Sequence, residues 1–326
     1  MDPSNVEPQP LNSPPPKTNG WLRGVFLGAD GLRAGWRFVL YLLIAALIEI
    51  VLVTVTHFAG HRYLKGTPRI WFLLLSELQL MLAALGAALV MSLIEKRPFG
   101  IYGLPATGAF GKAFWLGALW GIAAITLLLV VIRAAGDFYF GAIVLHGTRL
   151  AKFALFWGLF FLVVGFFEEF LMRGYTLFTL TQGMGFWPAA LSLSAIFGAI
   201  HLSNQGEGWI GALSVGLIGL FFCLTLRRTG TLWFAVGMHA AWDWGESFLY
   251  SVPDSGTVVP GHLMKSSFQG SSWLTGGTVG PEGSVLVFAV VALLWILFDR
   301  LYPDVKYGVE QPPPLTAPLP EAPPLP

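Results

Sequence analysis

Long apolar runs separated by short polar breaks dominate the pattern along this chain. A membrane-spanning helix needs about 20 mostly apolar residues. Eight segments approach that length, roughly Trp36–Phe58, Ile70–Ile94, Phe110–Ile132, Phe153–Leu180, Phe186–Leu202, Ile210–Leu226, Leu232–Tyr250 and Val285–Tyr302. Trp36, Trp71, Trp187, Trp209 and Trp233 fall near segment ends, at the headgroup level that tryptophan favours. The pattern predicts an all-α fold, a polytopic membrane helix bundle of about eight transmembrane helices. Residues 31–150 carry the N-terminal transmembrane helices, and residues 285–302 the last one. Between them, residues 251–284 form a Gly/Ser-rich loop, expected to be a flexible cap on the side opposite the tails. The tails, residues 1–30 and 303–326, are rich in proline and have little to bury, so they are expected to be disordered or polyproline-like.

Eight spans put both tails on one side of the bilayer. Lys17, Arg23, Arg33 and Arg37 precede or open the first span, and Lys96, Arg97 and Lys112 flank the second loop. This bias predicts an integral, multi-pass membrane protein with cytoplasmic tails, although Arg62, Lys65 and Arg69 in the first loop oppose it.

Composition agrees with the lipid reading. The 326 residues are 55% hydrophobic and 11% charged, against about 25% charged in an ordinary soluble domain. A formal net charge of +1 makes no case for a nucleic-acid partner. The single cysteine, Cys223, excludes a disulfide framework and a four-cysteine metal site.

Charge within the apolar segments changes the picture. "FFEEFLMRGY" (166–175) holds Glu168, Glu169 and Arg173; "FGAIH" ends in His201; "HAAWDWGE" holds His239, Asp243 and Glu246. An Asp or Arg at the centre of a spanning helix costs about 2.5–3.5 kcal/mol, so these groups are expected to face one another around a protein-lined cavity. Glu169 and Arg173 are four apart, in the favourable acid-before-base order, and can neutralise each other on one face. Glu168 points about 100° away and is free to face something else. His239 and Asp243 are also four apart. A glutamate in an apolar pocket can act as general base near neutral pH. One histidine can help hold a water, and another can stabilise an oxyanion. Two histidines and a glutamate are also a catalytic zinc ligand set. An H-E-x-x-H helix is absent, as are G-x-G-D and G-x-S-G. Glu77, alone in the second segment, reads as a cavity-facing or helix-pairing residue.

The motifs E-E-x-x-x-R (168–173), F-x-x-x-H (197–201) and H-x-x-x-D (239–243) occur in order, each on a predicted span. This trio resembles the CAAX protease and bacteriocin-processing family, also called the Abi family. Its eukaryotic member removes the last three residues of prenylated CAAX proteins. The resemblance covers about Phe153–Tyr250 and makes residues 151–250 the expected catalytic core. It implies an intramembrane endopeptidase acting on a membrane-associated or carboxyl-terminal peptide, prenylated substrates being the family precedent. Glu168 would activate water with His201 assisting, and His239 with Asp243 would stabilise the oxyanion. Glu169 and Arg173 would stand behind them, fixing helix geometry and charge. No cofactor is expected under the glutamate mechanism. The competing metal mechanism would place a divalent ion such as zinc on Glu168, His201 and His239. The family's eukaryotic enzyme carries Asn where this chain has Asp243, and a carboxylate there must be protonated to donate, or must act by orienting His239. Two other readings are a proton- or cation-coupled transporter, disfavoured by the lack of an internal repeat, and a non-catalytic immunity or scaffold member of the same family.

Overall fold

A computed structural model describes residues 24–28, 31–63 and 69–308. Most of the predicted N-terminal tail, and the C-terminal tail from residue 309, lie outside the described residues. The helices follow in chain order as α1 (Ala34–Tyr63), α2 (Arg69–Glu95), α3 (Lys112–Ala134), α4 (Gly147–Arg173), α5 (Tyr175–Met184), α6 (Phe186–His201), α7 (Trp209–Thr229), α8 (Trp233–Trp244) and α9 (Val287–Leu301). The chain is an all-α membrane helix bundle.

Each of the eight predicted segments is helical. Among the described residues five stretches are long and apolar enough to cross a bilayer alone: Ala34–Ala59, Ile70–Glu95, Lys112–Ala134, Gly147–Met184 and Trp209–Thr229. The other three are α6, α8 and α9, of 16, 12 and 15 residues. At about 1.5 Å per residue these do not reach across a hydrocarbon core of roughly 30 Å. They complete the bundle from within or from its flank. Eight of the twelve residues of α8 are buried and none is exposed. Helix α6 buries one stripe, Phe186, Ala189, Ala190, Leu193 and Phe197, at the three- and four-residue spacing of a helix face.

The fourth segment, read from the sequence as one helix, is two. Gly174 ends α4 with φ −82° and ψ −115° and starts α5 in a new direction. A Cβ at Gly174 would stand 2.4 Å from the Phe170 carbonyl oxygen, so only glycine closes this corner.

Close backbone approach holds α8 in place. A Cβ at Gly117 or Gly121 of α3 would fall 2.1 or 2.2 Å from the carbonyl oxygens of Phe234 or Met238. In membranes such small-residue contacts let dispersion and packing associate helices, because lipid supplies no hydrophobic drive between them. Helix α8 is thus pressed between α3 and α4, with its polar positions turned toward α4.

Residues 251–284, predicted as a flexible loop, are packed instead. Phe138–Tyr139 pairs antiparallel with Ser267–Phe268. The Leu263 amide donates to the Phe248 carbonyl at 2.8 Å, and the Trp157 indole donates to the Pro260 carbonyl at 3.0 Å. Val252, Val259, Thr275, Val279 and Ser284 are buried. The glycines here supply turns rather than mobility: Gly256, Gly261, Gly270, Gly276 and Gly280 all have positive φ. The segment is a folded cap. At the far end of the described chain, the amides of Lys306 and Tyr307 donate to the Arg227 carbonyl and hold the start of the C-terminal tail against α7.

Candidate active site

The motif residues come from different helices and converge on one cavity. Glu168, Glu169 and Arg173 lie in the last two turns of α4, His201 at the C-terminus of α6, and His239 and Asp243 on α8. A cavity of about 390 Å³ is lined by Glu168, His201, His239 and Asp243, with Glu77 of α2 on another wall. The expectation that Glu77 faces a cavity agrees with this placement.

Glu168 and Glu169 are adjacent and live in opposite surroundings. The Glu168 side chain is 25% exposed and opens onto the cavity. Glu169 and Arg173 are both 0% exposed and form a salt bridge of 3.2 Å. The Arg173 guanidinium lies 4.4 Å from the centre of the Phe197 ring and 5.8 Å from that of Phe222. Stacking a guanidinium on aromatic faces suits arginine far better than lysine. Gly219 of α7 leaves the room, since a Cβ there would stand 2.2 Å from Arg173 Nη2.

Glu169 has a second partner that its sequence position does not reveal. His239 Nδ1–H donates to Glu169 Oε1 at 2.9 Å. The same oxygen therefore accepts from both Arg173 and His239. The imidazole stacks on Phe222 with an interplanar angle of 17°. Held on one edge and one face, the ring presents Nε2 to the cavity, 3.7 Å from Glu168 Oε2 and 3.5 Å from Asp243 Oδ2. Glu169 thus orients His239 from the Nδ1 side, a task that the sequence had left open to Asp243. His201 is also oriented: Nδ1 bonds the Phe197 carbonyl at 2.9 Å, which leaves Nε2 as the free ring nitrogen. Such a bond behind a histidine selects its tautomer.

The cap brings two carboxylates that sequence reading missed. Asp254 and Glu282 line the same cavity. Glu282 Oε1 accepts from the Ser255 amide at 2.7 Å and from the Ser255 hydroxyl at 2.9 Å. Desolvation, followed by the charge of Asp254, pushes Glu282 up to about 8. Burial, followed by the charge of Asp243, raises Asp254 well above the usual carboxylate range. The only signal in the sequence is an acid set among turn formers, "PDSG" and "PEGS", and many exposed loop acids look the same.

The donor sets can be compared as metal ligands. Among the described residues, one trio of acidic, thiol or imidazole groups has ligand atoms all within 4.8 Å of one another: Glu246, Asp254 and Glu282. Glu168, His201 and His239 do not converge to that extent.

A helix bundle that gathers its intramembrane charge around one internal cavity is the architecture of a membrane-embedded enzyme or carrier. A comparison with known families bears on the choice between them. Residues 149–245 match the type II CAAX prenyl endopeptidase Rce1-like family. No curated protein matches the chain. The matched segment includes all three motifs and is similar to that family over about a third of the chain.

Proposed function

We propose that the chain is an intramembrane endopeptidase that hydrolyses a peptide bond with a glutamate-activated water. The observation that carries this reading is the pairing across the cavity: Glu168 Oε2 stands 3.7 Å from His239 Nε2, while Glu169 holds that ring from behind. In this reading the attacking water is held by Glu168 and by Nε2 of His201, both of which line the cavity. Glu168 takes its proton as the oxygen attacks the substrate carbonyl carbon. The resulting oxyanion lies toward His239 and Asp243, which stabilise it from the imidazolium and the carboxylic acid respectively. Collapse breaks the C–N bond, and Glu168 returns the proton to the departing amine. Low dielectric around the site strengthens each of these interactions.

Substrates would be peptides brought to the cavity by the bilayer, prenylated carboxyl termini being the chemistry to try first. The basic residues Arg33, Arg37, Lys96 and Arg97 favour cytoplasmic tails. The candidate zinc ligands Glu168, His201 and His239 do not converge on one point.

The test is cleavage of a farnesylated CAAX peptide and a peptide library by the full chain in detergent. Glu168→Gln is expected to lower kcat by about 10²–10⁴-fold, the usual range for losing a general base. Full cleavage by Glu168→Gln and by His201→Ala would sink the mechanism. A zinc-selective chelator, added with calcium in excess, is expected to leave the rate unchanged.

A further inference from the structure

Beyond Asp243, α8 loosens into a π-helical turn over Gly245–Tyr250. That turn buries Glu246 completely. The Trp242 side chain lies nearby, yet neither Glu246 oxygen accepts a bond of hydrogen-bonding geometry from the described residues. An ionised carboxylate sealed from water without a partner is too costly to persist, so such a group takes up a proton or a cation.

Its surroundings favour the cation. Ligand oxygens of Glu246, Asp254 and Glu282 all lie within 4.8 Å of one another. Asp254 Oδ2 accepts from the Ser247 hydroxyl at 3.2 Å, and Glu282 Oε1 is held by Ser255. These bonds fix both cap carboxylates from one side and leave the other oxygen of each without a hydrogen bond. Among the described residues that line the adjoining cavity there is no lysine or arginine. Of its two histidines, His239 is already shared among Glu168, Glu169 and Asp243, and His201 belongs to the water-binding side.

We propose that Glu246, Asp254 and Glu282 bind one hard divalent cation of the Ca²⁺ or Mg²⁺ type. Carboxylate oxygens alone suit such ions, whereas zinc favours nitrogen and sulfur. Asp254 and Glu282 border the cavity and give the ion its entry path. Water supplies the remaining ligands from the same side. The bound ion ties the cap to the end of α8, one turn beyond Asp243, and so fixes the wall that faces Glu168. The site uses none of the residues assigned to water activation or oxyanion binding.

The test needs no peptidase activity. Full-length protein in detergent is stripped with EDTA, and Mn²⁺ binding is followed by electron paramagnetic resonance. One saturable Mn²⁺ per chain is expected, displaced by Ca²⁺. Ca²⁺ is also expected to raise Tm, because a ligand that binds only the folded state stabilises it. Glu246→Gln and Glu282→Gln should each weaken Mn²⁺ binding by about tenfold or more, since affinity follows the number of charged ligands. Asp254→Asn, at the cavity edge, reads the same effect if Glu246→Gln does not fold. Absence of saturable Mn²⁺ binding by the wild type would overturn the proposal, as would binding that all three variants retain. Variants more stable than the stripped wild type and blind to Ca²⁺, with a wild type equally blind, would show that protons neutralise the trio instead.

Discussion

Glu169 and Glu246 are both fully buried carboxylates on helices that border one cavity, and they are treated in opposite ways. On the α4 wall, Glu169 has an arginine and a histidine on one oxygen, and the arginine is itself cradled by Phe197 and Phe222. On the cap wall, Glu246 has no hydrogen-bond partner among the described residues and lies beside two further acids, Asp254 and Glu282. A buried charge is stable when its partners come with the fold, and labile to its surroundings when they do not. The first wall is therefore a rigid device for aiming His239. The second is a place where something from solution completes the structure.

Removing compensation from the first wall should have the largest effect. Arg173→Ala leaves Glu169 with only His239, and breaking a buried pair in this way costs about 3–5 kcal/mol. Thermal unfolding in detergent should show a large drop in Tm, and an unchanged Tm would mean that the pair is not structural. A smaller change at the same place separates aiming from holding. Glu169→Gln keeps the volume but loses the charge that orients His239. We expect kcat to fall by about 10²-fold, the size of a misplaced catalytic group, with KM little changed. Equal loss in KM would point to a general collapse of the cavity.

The cap wall should respond more gently, and to pH. Glu282 is raised to about 8 in the folded chain, above its ordinary value of 4.5. The folded state then holds a proton that the unfolded state has released. Stability of EDTA-stripped protein should thus fall as pH rises from about 4.5 toward 8. Glu282→Gln should flatten that decline, read as Tm against pH. A wild-type Tm that rises over this range would refute the sign.

How much of this was legible follows the distance over which each feature acts. The bundle could be read because hydropathy is a local property, and the Glu169–Arg173 pair because four residues on a helix fix its geometry. The break at Gly174 was harder, since the apolar run continues through it without a change of period. The cap was misread because glycine in sequence signals freedom, while here the glycines sit at positive φ within packed turns. Asp254 and Glu282 carried no periodic signal at all.

The sequence by itself determined a membrane bundle, the helix faces that carry charge, and three motifs that match a protease family over residues 149–245. Only the tertiary structure decided that Glu169 reaches His239, 70 residues away, and that the cap delivers two acids to Glu246. The reason is physical. Helix spacing sets which residues of one segment share a face, but the partner across that face depends on how close two backbones can come. Here Gly165 at the α4–α8 contact, the glycines at the α3–α8 contact and the folded cap set that approach.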